Sequence, residues 1–251
     1  MYSVIEYFDS TDVSNQWAKE MEDTTFLKID KQFGESGKGA QIILPPYEGA
    51  KRKNSLRSEL NLQVFEDTLN VEKYYQWFFN IPSDQRLDSV NMGRITMIAQ
   101  IHSRPEKGKD WKHYRKNNPF NRPSVGLFYT QRDDGYYLLA YYGLNGKPDT
   151  KFEGQRWKKI VEQKIEPDYW HKINLNIKYA FDDTGYISYY LNDKAITEFN
   201  GKDYKVYGGN MHNSALNYFK FGLYRPWKNS TVQRIYFDNF ISSFNPINDN
   251  I

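Results

Sequence analysis

Three short segments of the sequence place residues that can bind an anion or move a proton on one side of a predicted β-strand. Successive side chains of a strand point to opposite faces. In the segment 217–225, one face carries Tyr218, Lys220, Gly222 and Tyr224. The other face carries only large apolar side chains, so we predict that it packs into a core. The glycine would let another group approach the backbone closely.

A second segment, 56–63, has the same design. Its polar face carries Arg57, Glu59 and Asn61, and its other face is mainly leucine. An Arg and a Glu two residues apart on one face can pair. Such a pair holds the guanidinium rigid, which suits bidentate capture of a carboxylate.

The third segment, 94–102, ends in a histidine that follows a glutamine at i, i+2. Strict alternation predicts one face with Thr96, Ile98, Gln100 and His102. It predicts an apolar face with Ile95, Met97, Ala99 and Ile101. The polar face therefore combines a titratable base with an amide donor.

The rest of the chain predicts the strands that position these faces. Aromatic residues make up 17% of the chain, including 21 Tyr, which favours half-exposed sheet surfaces. Alternating segments bounded by turn residues predict strands at 26–30, 40–44, 55–64, 72–80, 93–102, 124–130, 136–142, 158–165, 170–179, 185–191, 195–199, 216–224 and 232–241. A helical turn is predicted only at 14–22. We predict one all-β domain over 1–251, a concanavalin A-like jelly roll of two antiparallel sheets with a concave groove.

Composition limits the chemistry. The chain has no Cys, which excludes disulfides and cysteine-based zinc sites or nucleophiles. Its net charge is +3, but basic residues concentrate in the predicted loops 45–55 and 104–122, which favours an anionic partner at their rim. The sequence shows no membrane span, no nucleic-acid-reading motif and no signal for an oligomeric state. No export signal is visible either, and we expect a secreted or periplasmic mature form.

The three segments together resemble the signature strands of jelly-roll polysaccharide lyases. Arg57-Ser58-Glu59-Leu60, Gln100-Ile101-His102 and Tyr218-Phe219-Lys220-Phe221-Gly222-Leu223-Tyr224 are similar to motifs of the alginate lyases of polysaccharide lyase family seven, in the same order. After Tyr224 the chain continues Arg225-Pro226, where alginate lyases usually continue Asn-Gln. The resemblance is therefore closer to the glucuronan and heparin lyase group.

This resemblance implies β-elimination on a polysaccharide of uronic acids. Arg57 and Gln100, with His102, would neutralise the sugar carboxylate and stabilise the enolate-like transition state. Tyr224 would protonate the leaving O4, and a Lys220 cation near it would favour the tyrosinate. If the C5 proton and O4 lie on one side of the ring, as in glucuronate and mannuronate, Tyr224 can serve both steps. For guluronate and iduronate, His102 would be the base.

The remaining assignments concern further substrate contacts, a metal ion and the alternative functions. We predict that substrate also contacts Lys220, Glu59, Tyr218, Asn61, Arg225 and His113. Catalysis needs no cofactor, but Asp238 could help to bind a structural Ca²⁺ through its oxygen atoms. The main alternative is a non-catalytic, lectin-like module on the same fold. A glycoside hydrolase would need two facing carboxylates, and no predicted strand carries such a pair.

Overall fold

The structure is a computed structural model in which two antiparallel β-sheets pack face to face. It describes residues 4–10, 12–35, 37–46, 51–52, 55–63, 69–85, 87, 89–106, 108–112, 123–143, 157–197, 204–211, 215, 217–228 and 230–247. Outside the strands, two short 3₁₀ turns cover Thr24–Phe26 and Lys31–Phe33. No helix among these residues is long and apolar enough to cross a membrane.

Within these residues, one sheet has nine strands and the other has eight. The nine-stranded sheet contains β1 (Val4–Glu6), β3 (Leu27–Asp30), β4 (Gly39–Leu44), β7 (Glu72–Asn80), β12 (His171–Lys178), β13 (Tyr186–Leu191), β14 (Lys194–Ala195), β15 (Val206–Tyr207) and β17 (Gln233–Ser243). The eight-stranded sheet contains β2 (Trp17–Met21), β5 (Lys51–Arg52), β6 (Ser55–Leu62), β8 (Ile95–His102), β9 (Val125–Arg132), β10 (Gly135–Gly143), β11 (Trp157–Ile165) and β16 (Tyr218–Arg225).

The strands do not follow their chain order within the sheets. The main path of the nine-stranded sheet is β14-β13-β12-β7-β17-β4-β3, with β1 against β17 and β15 against β13. The path of the eight-stranded sheet is β11-β10-β9-β8-β16-β6-β2, with β5 against β6. Such crossovers between two antiparallel sheets make a jelly roll, and this confirms the predicted fold class.

The core between the sheets is rich in aromatic side chains, and β16 supplies its centre. Phe219 stacks on Tyr75 of the opposite sheet, with ring centroids 5.2 Å apart. Phe221 lies 4.5 Å from the Phe237 ring of the same opposite sheet. This packing confirms the predicted apolar face of the segment 217–225. It also forces the alternate residues of β16 to point away from the core.

Four short strands, β1, β2, β5 and β15, were absent from the prediction, and the helical turn predicted at 14–22 is wrong. Residues Trp17–Met21 form the edge strand β2, which pairs with β6. The buried Trp17 and Met21 are four residues apart, a spacing that also fits one helical turn. The neighbouring strand supplies the hydrogen bonds that decide between the two conformations.

Candidate active site

The three predicted chemical segments lie side by side in the eight-stranded sheet. Strand β16 is the middle one, hydrogen-bonded to β8 on one side and to β6 on the other. Their polar residues share the face that points away from the core, which we call the site face. The sequence alone placed each set on one face of its own strand. Only the sheet order brings the three sets together.

The register arranges these residues in rows across the strands. Tyr218 lies opposite His102 at one end of β16. Lys220 lies between Gln100 and Asn61. At the other end of the site, Tyr224 lies opposite Arg57.

Strand β8 departs from the predicted alternation because it contains a bulge. Its register against β9 shifts between Met97 and Ala99, so Ile98 turns into the main core. Thr96 also points inwards, where its hydroxyl accepts a hydrogen bond from Gln233. Met97 is thereby on the site face with Gln100, not on the apolar face that strict alternation predicted. A bulge adds one residue to one strand and reverses the phase beyond it.

Glu20 on β2 is the centre of the polar network, and the sequence interpretation missed it. Its Oε2 accepts a hydrogen bond from Nη1 of Arg57 at 2.9 Å and another from Nζ of Lys220 at 2.8 Å. Its Oε1 accepts from Nδ2 of Asn61 at 3.0 Å. The only sequence signal was the alternation between Trp17 and Met21, which puts Glu20 on the face opposite to these two side chains.

Glu59 is the second carboxylate of the network, and it is nearly fully buried. It accepts a short hydrogen bond from the Gln100 amide nitrogen and forms an ion pair with Arg57, with Nη1 and Oε2 3.5 Å apart. Burial opposes the charge of Arg57, but the Glu59 and Glu20 carboxylates outweigh it and raise the pKa of the guanidinium. Arg57 is therefore a fixed, permanent cation. The intrastrand pair with Glu59 is the one that the sequence predicted.

We expect the ion pairs of Glu20 to make the fold sensitive to acid. Burial alone would raise the pKa of Glu20, but Lys220 and Arg57 lower it from 4.5 to about 2. A depressed carboxyl pKa stabilises the fold fully above the unfolded value and loses that effect as pH falls towards the folded value. Between pH 6 and pH 3 the free energy of unfolding should drop by about 2 kcal/mol on account of this group alone.

Denaturant unfolding of wild type and Glu20→Gln at both pH values measures this contribution. The variant should be less stable at pH 6 and should show a flatter pH dependence between pH 6 and pH 3. Glu22→Gln, which changes an exposed carboxylate two residues further along the chain, is the matched control. Equal pH dependence in wild type and Glu20→Gln would contradict the role of Glu20.

His102 lies in an aromatic and basic corner at the other end of the site. Its ring centroid is 5.8 Å from that of Tyr218 and 6.0 Å from that of Trp111. Its Nδ1 is 2.5 Å from the Ser103 carbonyl oxygen, so Nδ1 carries the proton and donates it. In the neutral ring, Nε2 is then the atom with the lone pair.

Tyr218 is buried in this corner and remains a neutral phenol. Its ring lies 5.0 Å from the Arg104 guanidinium carbon and 5.2 Å from Nζ of Lys220. Burial raises the pKa of Tyr218, and the Glu20 and Glu59 carboxylates raise it further. Because its ionisation is strongly opposed, Tyr218 suits a packing or binding role better than proton transfer.

Tyr224 has a different environment from Tyr218. It is half-buried, and its ring centroid lies 4.9 Å from the Arg57 guanidinium carbon. The same ring packs against a small apolar cluster on the site face. Within the part of the chain that the structure describes, the Tyr224 hydroxyl has no hydrogen-bond partner. A phenol placed in this way can exchange a proton with a ligand.

Two of the predicted binding residues, Lys220 and Glu59, lie beneath this surface, and a third, Asn61, is partly exposed. The Lys220 and Glu59 side chains are 4% and 3% exposed, so they act on their neighbours more than on a ligand. The Asn61 amide is engaged by Glu20. Lys220 pairs with Glu20, and Arg57 is the cation beside Tyr224. The expectation that Lys220 favours the Tyr224 tyrosinate is therefore not supported by the geometry.

Gly222 lets another group approach the backbone closely, as predicted, and that group is the neighbouring strand. Its φ is +139°, and a Cβ at this position would lie 2.3 Å from the Ser58 carbonyl oxygen. The close approach that the glycine permits is that of the β6 backbone, not that of a substrate. The residue is required for the tight pairing of β16 with β6.

Arg225 does not reach the site face, and its predicted contact with substrate is corrected. The residue is 0% exposed, with Nη2 2.8 Å from the Pro45 carbonyl oxygen and Nη1 bonded to Gln233. Burial lowers the pKa of Arg225 to about 10. The alternation that points Tyr224 outwards points Arg225 inwards.

Two further predictions concern Asp238 as a Ca²⁺ ligand and His113 as a substrate contact. Asp238 is buried, and its two oxygens accept hydrogen bonds from the backbone N–H groups of Glu35 and Asn239, each at 2.8 Å. Among the described residues, no group of three or more His, Cys, Asp or Glu gathers as a metal site would require. The structural Ca²⁺ stays a prediction that this geometry does not favour. His113 lies outside the described residues.

Comparisons with known proteins give a consistent result. A model of the polysaccharide lyase family matches residues 8–241. No curated protein sequence matches the chain. Among solved structures, an endo-β-1,4-glucuronan lyase from the fungus Trichoderma reesei has a TM-score of 0.68 at 16% identity, covering 96% of this chain and 94% of that one.

Two alginate lyases are similar in the same way. The enzyme from Aplysia kurodai has a TM-score of 0.59 at 11% identity, covering 96% of this chain and 98% of its own. A family seven alginate lyase, solved in complex with its substrate, has a TM-score of 0.57 at 14% identity and covers 88% and 82%. At these identities the structures show a shared fold, and they confirm the predicted resemblance.

Proposed function

Because the chain belongs to the polysaccharide lyase family, we propose that it cleaves a polysaccharide of uronic acids by β-elimination on the site face of its eight-stranded sheet. Family membership makes the protein an enzyme, a polysaccharide lyase, and so favours catalysis over the lectin-like alternative. The proposal that the polymer contains uronic acids rests on the hydrogen-bond donors of the site. The glucuronan lyase and the alginate lyase that share this fold support the same class of substrate.

The observation that carries this proposal is the juxtaposition of Tyr224 with Arg57. A half-exposed phenol, whose hydroxyl is not used by the described residues, lies against a guanidinium that two carboxylates hold in place. The first group can move a proton. The second can hold the negative charge that a uronate develops when it loses the proton at C5.

Arg57 and Gln100 would bind the sugar carboxylate. Loss of the C5 proton shifts negative charge into that carboxylate, so donors fixed there stabilise the transition state more than the ground state. Arg57 contacts the Glu20 and Glu59 carboxylates through Nη1, and these two contacts hold the guanidinium in place. The bond from Gln100 to Glu59 orients the amide and occupies one of its two N–H groups.

In the elimination, the C5–H and C4–O4 bonds break and a C4–C5 double bond forms. The enzyme must accept the C5 proton and supply a proton to the departing O4. We assign the second step to Tyr224. When both groups lie on the same side of the ring, Tyr224 in its tyrosinate form can accept the C5 proton and then donate it to O4, which regenerates the tyrosinate, and no second residue is needed.

The register favours this single-residue case. Along β8, His102 is five residues from Met97, the partner of Tyr224, which is about 15 Å of strand. Its ring contacts lie at the Tyr218 end of the site. We therefore propose polymers of glucuronate or mannuronate configuration as substrates, with His102 binding the chain beside the reacting sugar. On guluronate or iduronate, His102 would instead have to act as the base.

A polymer panel tests the function. Purified protein is incubated with glucuronan, polymannuronate, polyguluronate and heparosan-type chains, and the ultraviolet absorbance of the unsaturated uronate product is followed. We expect absorbance to rise fastest with glucuronan or polymannuronate. Reducing ends without absorbance would indicate hydrolysis, and binding without either would indicate a lectin. Because such polymers are too large to enter cells, we also propose that the enzyme acts as a secreted or periplasmic protein.

A further inference from the structure

The site face carries a second hydrophobic cluster that the catalytic assignments do not use. It consists of buried Met97, Phe128 and Leu139, with partly buried Tyr141 and Trp157 packed onto them. It is separate from the main core, which lies on the other side of the same sheet. An aromatic layer on the outer face of a sheet exposes apolar surface to solvent. An exposed apolar patch commonly marks a binding site.

Trp157 and Tyr141 form the outer layer of this cluster, and both are half-exposed. Their rings stack with centroids 5.8 Å apart and an interplanar angle of 26°. Phe128 supports both rings from the side, at 5.4 Å from Tyr141 and 5.7 Å from Trp157. The indole Nε1 donates a hydrogen bond to the Pro123 carbonyl oxygen at 2.8 Å, which fixes the orientation of Trp157.

The Trp157 indole reaches across the sheet to Gly126, and this glycine leaves room for the Phe128 ring that supports the indole. A Cβ on Gly126 would lie 3.4 Å from the indole and 2.7 Å from the Phe128 ring. Trp157 belongs to β11 and Gly126 to β9, so the side chain spans the strand between them. A larger residue at 126 would displace the Phe128 ring that supports the indole. The arrangement of the rings therefore depends on residues of three strands.

This surface is continuous with the candidate active site. Gly126 pairs directly with Gln100 in the sheet, and Phe128 pairs with Met97, the partner of Tyr224. Adjacent strands are about 4.8 Å apart, so the aromatic surface begins about one strand from Gln100 and about two strands from Tyr224. This span is comparable to the length of a disaccharide.

Charge on the far side of the surface suits an acidic polymer. Among the described residues there, three cations outnumber two carboxylates: Lys159, Arg132 and Lys164 against Glu162 and Asp134. Apolar rings that carry no charge of their own would accept the C–H face of a sugar. The cations would then meet its carboxylates.

We infer that the Trp157–Tyr141 pair is a stacking platform for the sugars next to the one that is cleaved, so that the polymer crosses β16, β8, β9, β10 and β11 in this order. The inference rests on the proposed function, because it takes the occupant to be a uronic acid chain. It adds a binding site outside the residues that perform the elimination. The enzyme should consequently prefer long chains over short ones.

The test compares wild type with Trp157→Ala on a disaccharide and a hexasaccharide of the uronate that the panel selects. Binding is measured by calorimetry and elimination by absorbance. With the hexasaccharide, Trp157→Ala should weaken binding and raise KM by about tenfold, with little change in kcat. With the disaccharide, wild type and Trp157→Ala should show the same binding and the same KM. Trp157→Phe, which keeps a flat ring, should recover most of the loss.

Tyr169→Ala is the matched control, since Tyr169 is an exposed aromatic residue that precedes β12 of the opposite sheet. Thermal unfolding of each variant reports whether the fold persists. If Trp157→Ala leaves hexasaccharide binding unchanged, or weakens both oligomers equally, the platform is refuted while the lyase function stands. If wild type neither binds nor cleaves any of the panel polymers, the proposed function and the platform both fail.

Discussion

Replacement of Tyr224 by Phe should reduce kcat for elimination by about 10³-fold, the usual scale for loss of a group that transfers protons. The substitution removes one oxygen atom and keeps the ring. The packing on Met97, Phe128 and Leu139 and the contact with the Arg57 guanidinium therefore persist. Binding of the polymer should be close to that of wild type. Absorbance of the unsaturated product gives kcat, and calorimetry gives the affinity.

The control for this variant is Tyr190→Phe. Tyr190 is also a half-buried strand tyrosine, but it belongs to the nine-stranded sheet. Its replacement should leave both kcat and affinity unchanged. If Tyr224→Phe turns over polymer at nearly the wild-type rate, Tyr224 is not the acid of the reaction. Tyr218 is a poor substitute for that role because its ionisation is opposed by burial and by two nearby carboxylates.

Replacement of Arg57 by Ala should reduce kcat by about 10²- to 10³-fold, because the developing charge on the uronate carboxylate loses a fixed donor. In contrast to Tyr224→Phe, this variant should also bind polymer more weakly. It should be less stable as well, since Glu20 loses one of its cations and Glu59 is left buried beside Gln100. Kinetics at several polymer concentrations separates the effect on kcat from that on KM.

Two variants make this result specific. Arg57→Lys keeps the positive charge but cannot reproduce the planar fork, so we expect it to recover stability more than turnover. Arg234→Ala breaks an ion pair with Asp84 on the opposite sheet and should leave elimination intact. Wild-type kinetics in a folded Arg57→Ala protein would refute the role of Arg57.

The site is close to charge balance, which affects how it selects a substrate. Arg57 and Lys220 face Glu20 and Glu59 within one hydrogen-bonded network. Net charge therefore contributes little attraction at the centre, and the orientation of fixed donors contributes more. Such preorganised donors need no rearrangement when the reaction builds up charge. The basic residues that we expect to attract an anionic polymer lie further out, at Arg104 and on β9 and β11.

The sequence alone determined the fold class and the faces of β6 and β16. Both are consequences of alternation, since a period of two specifies a face without any knowledge of the neighbouring strand. Motif resemblance added the family, and the family comparison confirmed it. The resemblance implied that Arg57 and Tyr224 act on one substrate and therefore share a surface. The register, with Tyr224 opposite Arg57, brings them together on one face of the sheet.

Tertiary structure decided the features that depend on more than one strand. Glu20 enters the site only because β2 pairs with β6, and its own segment gave no strong strand signal. The bulge in β8 moves Met97 to the site face, and a local pattern cannot reveal an extra residue. Burial of Lys220 and the inward turn of Arg225 depend on what packs around them. The aromatic platform joins β8, β9, β10 and β11, residues far apart in the chain that only the sheet order makes neighbours.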